Sequence, residues 1–123
     1  MEYSFIIHIT LKIIVGLSIL NVWLARSKKS TDWRGGDADN IAEEFKAYGL
    51  PVWFMWVVGS LKVGLALLLL ISILYQQFEA IAAYGIAFLM LGAISMHLKI
   101  GDPIKKSLPA FSLLVLSLAI ALL

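Results

Sequence analysis

Four long apolar runs, separated by short polar stretches, account for most of this 123-residue chain. They cover about residues 3–25, 51–75, 79–98 and 104–123. Each is close to the roughly 20 residues that a helix needs to cross about 30 Å of hydrocarbon. Polar stretches at 26–50 and 99–103 separate them on one side, and the short link Tyr75-Gln76-Gln77-Phe78-Glu79 does so on the other. The pattern predicts an all-α fold, an integral membrane four-helix bundle forming one membrane domain over residues 1–123, with no room for a separate soluble domain.

Within 26–50 the residues from Arg26 to Gly36 read as a solvated, flexible linker with a basic start, after which the pattern turns helical again. Asn40 with Glu43 three residues on is a capping box, and Gly49 with Pro51 supplies a stop. Ile41, Phe45 and Tyr48 fall on one side of this short helix, which is expected to lie along the membrane surface, apolar face down. At the second polar stretch Gly101 suits the left-handed residue that closes a helix, Asp102 is a suitable N-cap, and Pro103 a suitable first helical residue. Pro109 lies inside the last run and predicts a kink in its second turn. Starting that span after Pro109 would leave a helix of about 22 Å, too short to cross. Gly59, Ser60 and Gly64 in the second run, and Ala82, Ala83, Gly85, Ala87, Gly92 and Ala93 in the third, offer small surfaces for close helix contact.

Composition agrees with the pattern. The chain is 61% hydrophobic and only 15% charged, and its mean hydropathy is +0.92, which excludes a water-soluble domain of this size. There is no cysteine, so thiol redox relays, thiolate metal sites and iron–sulfur ligation by this chain are excluded. Net charge is only +2, but its distribution is informative. Arg26, Lys28, Lys29, Arg34 and Lys46 lie in one polar stretch and Lys99, Lys105 and Lys106 around the other, whereas the opposite side has no basic residue. Basic loops face the cytoplasm, so both termini are expected outside it, in the inner membrane of a bacterial cell. Glu2 and Lys12 do not fit a cleavable signal, so the first span is expected to persist.

Polar residues inside the spans are the candidates for function. Lys62 falls near the middle of the second span, where an ammonium is costly and ordinarily faces a partner or cavity; neutralisation, pairing with carbonyls at a helix break, or snorkelling toward an interface would also accommodate it. Lys12 reads at similar depth in the first span, with His8 four residues before it on the same face. No carboxylate is expected at that depth, since Glu2 and Glu79 read as near the outer face, so Lys12 either snorkels outward or, with Lys62, attracts an anion, a quinone carbonyl or a lipid headgroup. His97 stands at the end of the third span as a proton carrier or, by position, a cap of helix carbonyls. His8 and His97 fall at opposite faces, which argues against a shared metal. Trp23, Trp53 and Trp56 stand where interfacial anchors belong, and Asp37 and Asp39 are explained by a helix start. The expected ligand contacts are Lys62, Lys12, His97 and Trp56, with no catalytic group and no metal. No nucleophile–base pair, phosphate loop or redox motif is visible.

Gly49-Leu50-Pro51, Val58 through Ala66, His97 through Lys106 and Leu108-Pro109-Ala110 together resemble the DoxX-like superfamily of small four-span membrane proteins. The His97-to-Lys105 segment is also similar to the corresponding hairpin of NACHO, an animal acetylcholine-receptor chaperone of that superfamily. Many relatives look to carry a glutamate at the Lys62 position. The resemblance implies a four-helix membrane bundle tied either to quinone-linked oxidoreductase complexes or to assembly of partner membrane proteins. The resulting expectation is an accessory, non-catalytic protein with no covalent cofactor, holding a quinone- or lipid-like molecule in its bundle. Two alternatives stand beside it, a quinone-reactive oxidoreductase subunit and a membrane-protein assembly factor. Partners are the bilayer, a second copy or other membrane proteins, and no nucleic acid.

Overall fold

A computed structural model describes residues 2–25 and 34–123. Helix α1 spans Glu2–Leu20 and runs on through a π turn, Asn21–Ala25. The short α2 is Ile41–Ala47 and α3 is Val52–Ile71. A 3₁₀ turn, Gln76–Phe78, leads into α4, Glu79–Lys99, and a second, Ile104–Ser107, leads into α5, Leu108–Leu122. The described residues contain no strand. Four of the helical stretches, Ser4–Leu24, Val52–Ile71, Gln76–Lys99 and Ile104–Leu122, are long and apolar enough to cross a membrane. The all-helical membrane architecture read from the pattern is therefore the one observed. The basic start of the linker, Arg26, Lys28 and Lys29, lies outside the described residues.

The four long helices close into a ring in the order α1, α3, α4, α5, with α4 packed most extensively on α5. Val15, Leu69, Ile86 and Ile120, one from each, are fully buried at its axis. Close approach depends on glycine at two places. A Cβ on Gly16 would stand 2.8 Å from Leu70, and one on Gly85 would stand 2.9 Å from Leu65, so α1 meets α3, and α3 meets α4, at bare backbone. Gly64 and Gly92 do not pack in this way, for nothing lies within 4 Å of where their Cβ atoms would be, and Ser60 is exposed. Large apolar side chains such as Phe5, Ile81 and Phe88 point outward, as lipid-facing surfaces require.

The turn between α4 and α5 departs from expectation in three respects. Gly101 closes α4 in the left-handed region at φ 72°, as predicted, and the Asp102 amide bonds back to the carbonyl of His97 at 3.0 Å. Asp102, however, caps nothing. Pro103 takes the cap position of the 3₁₀ turn, and the Asp102 carboxylate turns instead to His97 and Gly36. Pro109 produces no kink within α5; it sits in the first turn of that helix, where its missing N–H is harmless, and the 3₁₀ turn ahead of it supplies the remaining length.

Candidate functional site

The polar end of the bundle is held by a clasp between residues 34–49 and the α4–α5 turn. Asn40 caps α2 by accepting from the Glu43 amide at 2.9 Å, while the Glu43 carboxylate takes the Asp39 amide, one residue earlier than a regular capping box. Gly36 is left-handed at φ 57°, and its N–H donates to Asp102 Oδ1 at 3.0 Å while its carbonyl accepts from the Lys106 ammonium. Lys99 donates to the Tyr48 carbonyl at 3.2 Å. His97, buried at the end of α4, has its Nδ1 2.7 Å from Asp102 Oδ2 and its Nε2 3.5 Å from the Tyr48 hydroxyl, with the two rings edge to face. Nδ1–H donates to the carboxylate, and Nε2 faces the phenol. Tyr48 in turn lies on Gly35, where a Cβ would come within 2.5 Å of its ring. His97 is therefore a buried link in the chain Asp102–His97–Tyr48 and not a cap of helix carbonyls.

The clasp turns α2 inward. Ile41, Phe45 and Tyr48 do share a face, but that face is buried against the bundle and not laid on lipid. Phe45 meets the edge of Trp23 at 6.0 Å between centroids. Arg34, also buried, stands 3.8 Å from Glu44, whose other oxygen accepts the Gly35 amide at 2.6 Å.

Beneath this roof lies a cavity of about 630 Å³ between the ends of α1, α3, α4 and α5. Its lining is mostly apolar, but Lys62, Arg34, Lys106, His97, Glu44 and Tyr48 all contribute to it, so permanent cations outnumber carboxylates. Lys62 reaches in from the middle of α3, with its ammonium 5.3 Å from the Trp23 ring centroid. Among the described residues no hydrogen-bond acceptor or ion-pair partner touches that ammonium, and the Glu44 carboxylate of the same cavity acts on it only from a distance. Trp23 is placed by the π turn, and by Gly59, where a Cβ would stand 2.5 Å from the indole. Such single-turn widenings of a helix often mark functional positions. Trp23 was expected among the interfacial anchors; it is instead the floor under Lys62.

The four expected ligand contacts do not converge. Lys62 and His97 both line the cavity. Lys12 does not: its buried ammonium forms a 3.0 Å ion pair with Glu79 and donates to the Ser72 carbonyl at 3.1 Å. Ser72 is ten residues beyond Lys62 along α3, about 15 Å of helix, so the two lysine heads point to opposite ends of the bundle. The expectation that no carboxylate reaches Lys12 is overturned, because Glu79 at the start of α4 turns inward. His8 joins this far cluster, with Nε2 4.0 Å from Glu79. Trp56 is 67% exposed on the outside of α3, as is Trp53, and neither lines the cavity.

Two groups of the clasp lie outside the spans and have displaced titrations. Burial would raise the Asp102 carboxyl, but bonds from His97 and from the Gly36 amide, with the charges of His97 and Lys106, outweigh it and hold the group below its ordinary range. Burial, then the neighbouring Glu44 carboxylate, pushes the Tyr48 phenol well above its usual value, so it remains a donor. Among the described residues no three His, Asp or Glu side chains converge as a metal would require. What the site offers is an apolar chamber with an ammonium that no described residue hydrogen-bonds, a tyrosine hydroxyl and a carboxylate-oriented imidazole on its walls.

No curated protein and no solved structure matches the chain. A family model described as the DoxX-like family matches residues 35–121, a stretch that contains α2, α3, α4, all but the last residue of α5, and all of the clasp from Gly35 onward. The match takes in more than half of the sequence, and the chain belongs to the DoxX-like family.

Proposed function

We propose that this DoxX-like protein is an accessory protein of the bacterial inner membrane that holds a quinone- or lipid-like molecule in the cavity under α2. The observation that carries this reading is the Lys62 ammonium, set at mid-helix over Trp23 with no hydrogen-bond acceptor among the described residues, beside a cavity of about 630 Å³. An unpaired cation in a bundle costs roughly 2.5–3.5 kcal/mol even on the lenient insertion scale, and a bound carbonyl or anionic oxygen offsets that cost. The chamber has the size and apolar wall typical of sites for small organic ligands, with few polar groups to orient them. Charge distribution supports placing α2 and the clasp in the cytoplasm, since Lys46, Lys99, Lys105 and Lys106 gather there, and both termini outside.

The test is extraction. Protein purified in mild detergent is dissolved in organic solvent and its lipids and quinones are resolved by chromatography. One molecule of a single species per chain is expected, and it is lost in Lys62→Leu while the folded protein remains. Unchanged retention in that variant would remove Lys62 from the site, and an empty bundle copurifying with a fixed set of membrane proteins would favour an assembly role.

One observation favours the oxidoreductase-subunit reading. The Asp102–His97–Tyr48 chain ends at the cavity wall, where it could pass protons to a quinone that takes its electrons from a partner protein. In that case His97→Gln leaves quinone retention intact and abolishes its reduction.

A further inference from the structure

We propose that the cavity is reached sideways from the bilayer, through the seam between α3 and α4, and that its occupant is a tailed amphiphile. Its oxygen-rich head lies at Lys62, and its chain leaves through the seam past Gly92 and Phe88 into the hydrocarbon. This rests on the ligand-holding reading above and adds to it the route and the class of molecule.

The seam narrows and opens along its length. Gly85 and Gly92 are seven residues apart on α4, about two turns, and so share one face. At Gly85 that face touches α3, because a Cβ there would stand 2.9 Å from Leu65. At Gly92, toward the polar end, no described residue lies within 4 Å of where a Cβ would stand, although the residue lines the cavity together with Val58 and Lys62 of α3. The two helices therefore part between these levels. Phe88, also on the cavity lining, is 75% exposed on the outside. It lies eleven residues before the end of α4, about 16 Å along the axis, which sets the opening at the depth of acyl chains and not of water.

The polar end of the chamber is covered. Ile41, Phe45 and Tyr48 roof it, and the Gly36–Asp102, Gly36–Lys106 and Lys99–Tyr48 bonds fasten the roof to the α4–α5 turn. A site roofed at its polar end and open at the seam favours molecules already dissolved in the membrane. The excess of cations over carboxylates on its walls selects a carbonyl or anionic oxygen head. Such a head belongs to a quinone or to an acidic lipid.

The experiment uses the full chain in nanodiscs of phosphatidylcholine, with two probe pairs: a decyl-substituted benzoquinone against its tailless ring, and lysophosphatidic acid against glycerol phosphate. Concentrations are referred to the bilayer phase. The tailed member of one pair is expected to bind at least about tenfold more tightly than its tailless partner, and the pair that does so names the source of the head. Gly92→Trp should abolish that advantage, whereas Lys62→Leu should weaken tailed and tailless probes alike. Gly64→Trp, equal bulk at an equally open glycine away from the cavity, should preserve it. An undiminished tail advantage in Gly92→Trp, or none in the unaltered protein, overturns the seam. Equal loss of both probes in Gly92→Trp also overturns it, since the added bulk would then fill the head site. If no probe binds the unaltered protein, or Lys62→Leu weakens none of them, the ligand-holding reading itself fails.

Discussion

His97 Nδ1 and Asp102 Oδ2 stand 2.7 Å apart although four residues and the end of a helix separate them, and both side chains are almost wholly buried. The geometry exists because Gly101 turns left-handed and returns the chain over the last turn of α4. Removing either partner leaves the other unsatisfied in a poorly hydrated place, so the two substitutions should not add. In a double-mutant cycle of His97→Gln and Asp102→Asn, read by denaturation of the purified protein, a coupling of about 1–2 kcal/mol is expected. Additive losses would mean that the pair contributes nothing beyond its separate members.

The same pair makes the clasp sensitive to acid. The Asp102 carboxyl titrates below its ordinary value in the folded protein, so its contribution is complete above about pH 4 and is lost as pH falls through the lower folded value. The Tyr48 phenol is displaced upward, so its contribution is complete below about pH 10 and is lost in stronger alkali. The melting-temperature difference between the unaltered protein and Asp102→Asn should therefore be constant near neutrality and shrink below about pH 4. Tyr48→Phe should remove an alkaline phase of destabilisation and leave the acid phase in place.

Two glycines of α3 that look alike in sequence should behave oppositely. At Gly59 an added methyl would stand 2.5 Å from the Trp23 ring, whereas at Gly64 it would meet nothing within 4 Å. Gly59→Ala has to displace the indole that carries the Lys62 ammonium, at a cost of about 1–3 kcal/mol, with a change in tryptophan fluorescence. Gly64→Ala should be neutral or slightly stabilising, because alanine is the better helix former.

What could be read from sequence was what is locally encoded. The four spans follow from composition and length, the cap of α2 from Asn40, and the end of α4 from the glycine at 101. Trp23 was misplaced because its position depends on a π turn, which no residue pattern announces, and on Gly59 in another helix. Aspartate before proline ordinarily begins a helix, so the residue pattern alone points the Asp102 carboxylate to a cap. The competing signal, a histidine one short turn earlier across a glycine, was present in the same segment. Gly64 and Gly92 were grouped with Gly59 and Gly85 because small residues look alike in a sequence, whether they receive another helix or leave a gap.

Lys12 and Glu79 give the sharpest energetic test of the far end. Their side chains are 5% and 16% exposed, their charged atoms are 3.0 Å apart, and the ammonium has one further acceptor, the Ser72 carbonyl. A pair of this kind gains much of its attraction only to offset what desolvation costs. Deleting one member therefore differs from deleting both. Glu79→Gln strands a buried ammonium, with His8 unable to neutralise it, and is expected to cost about 3–5 kcal/mol. Lys12→Met with Glu79→Leu removes both charges and keeps apolar bulk, and should return stability to within about 1 kcal/mol of the unaltered protein. Because the cluster does not touch the cavity, neither change should alter the molecule recovered by extraction. Loss of that molecule in the double variant would join the two ends of the bundle into one site, contrary to the separation of Lys12 from Lys62.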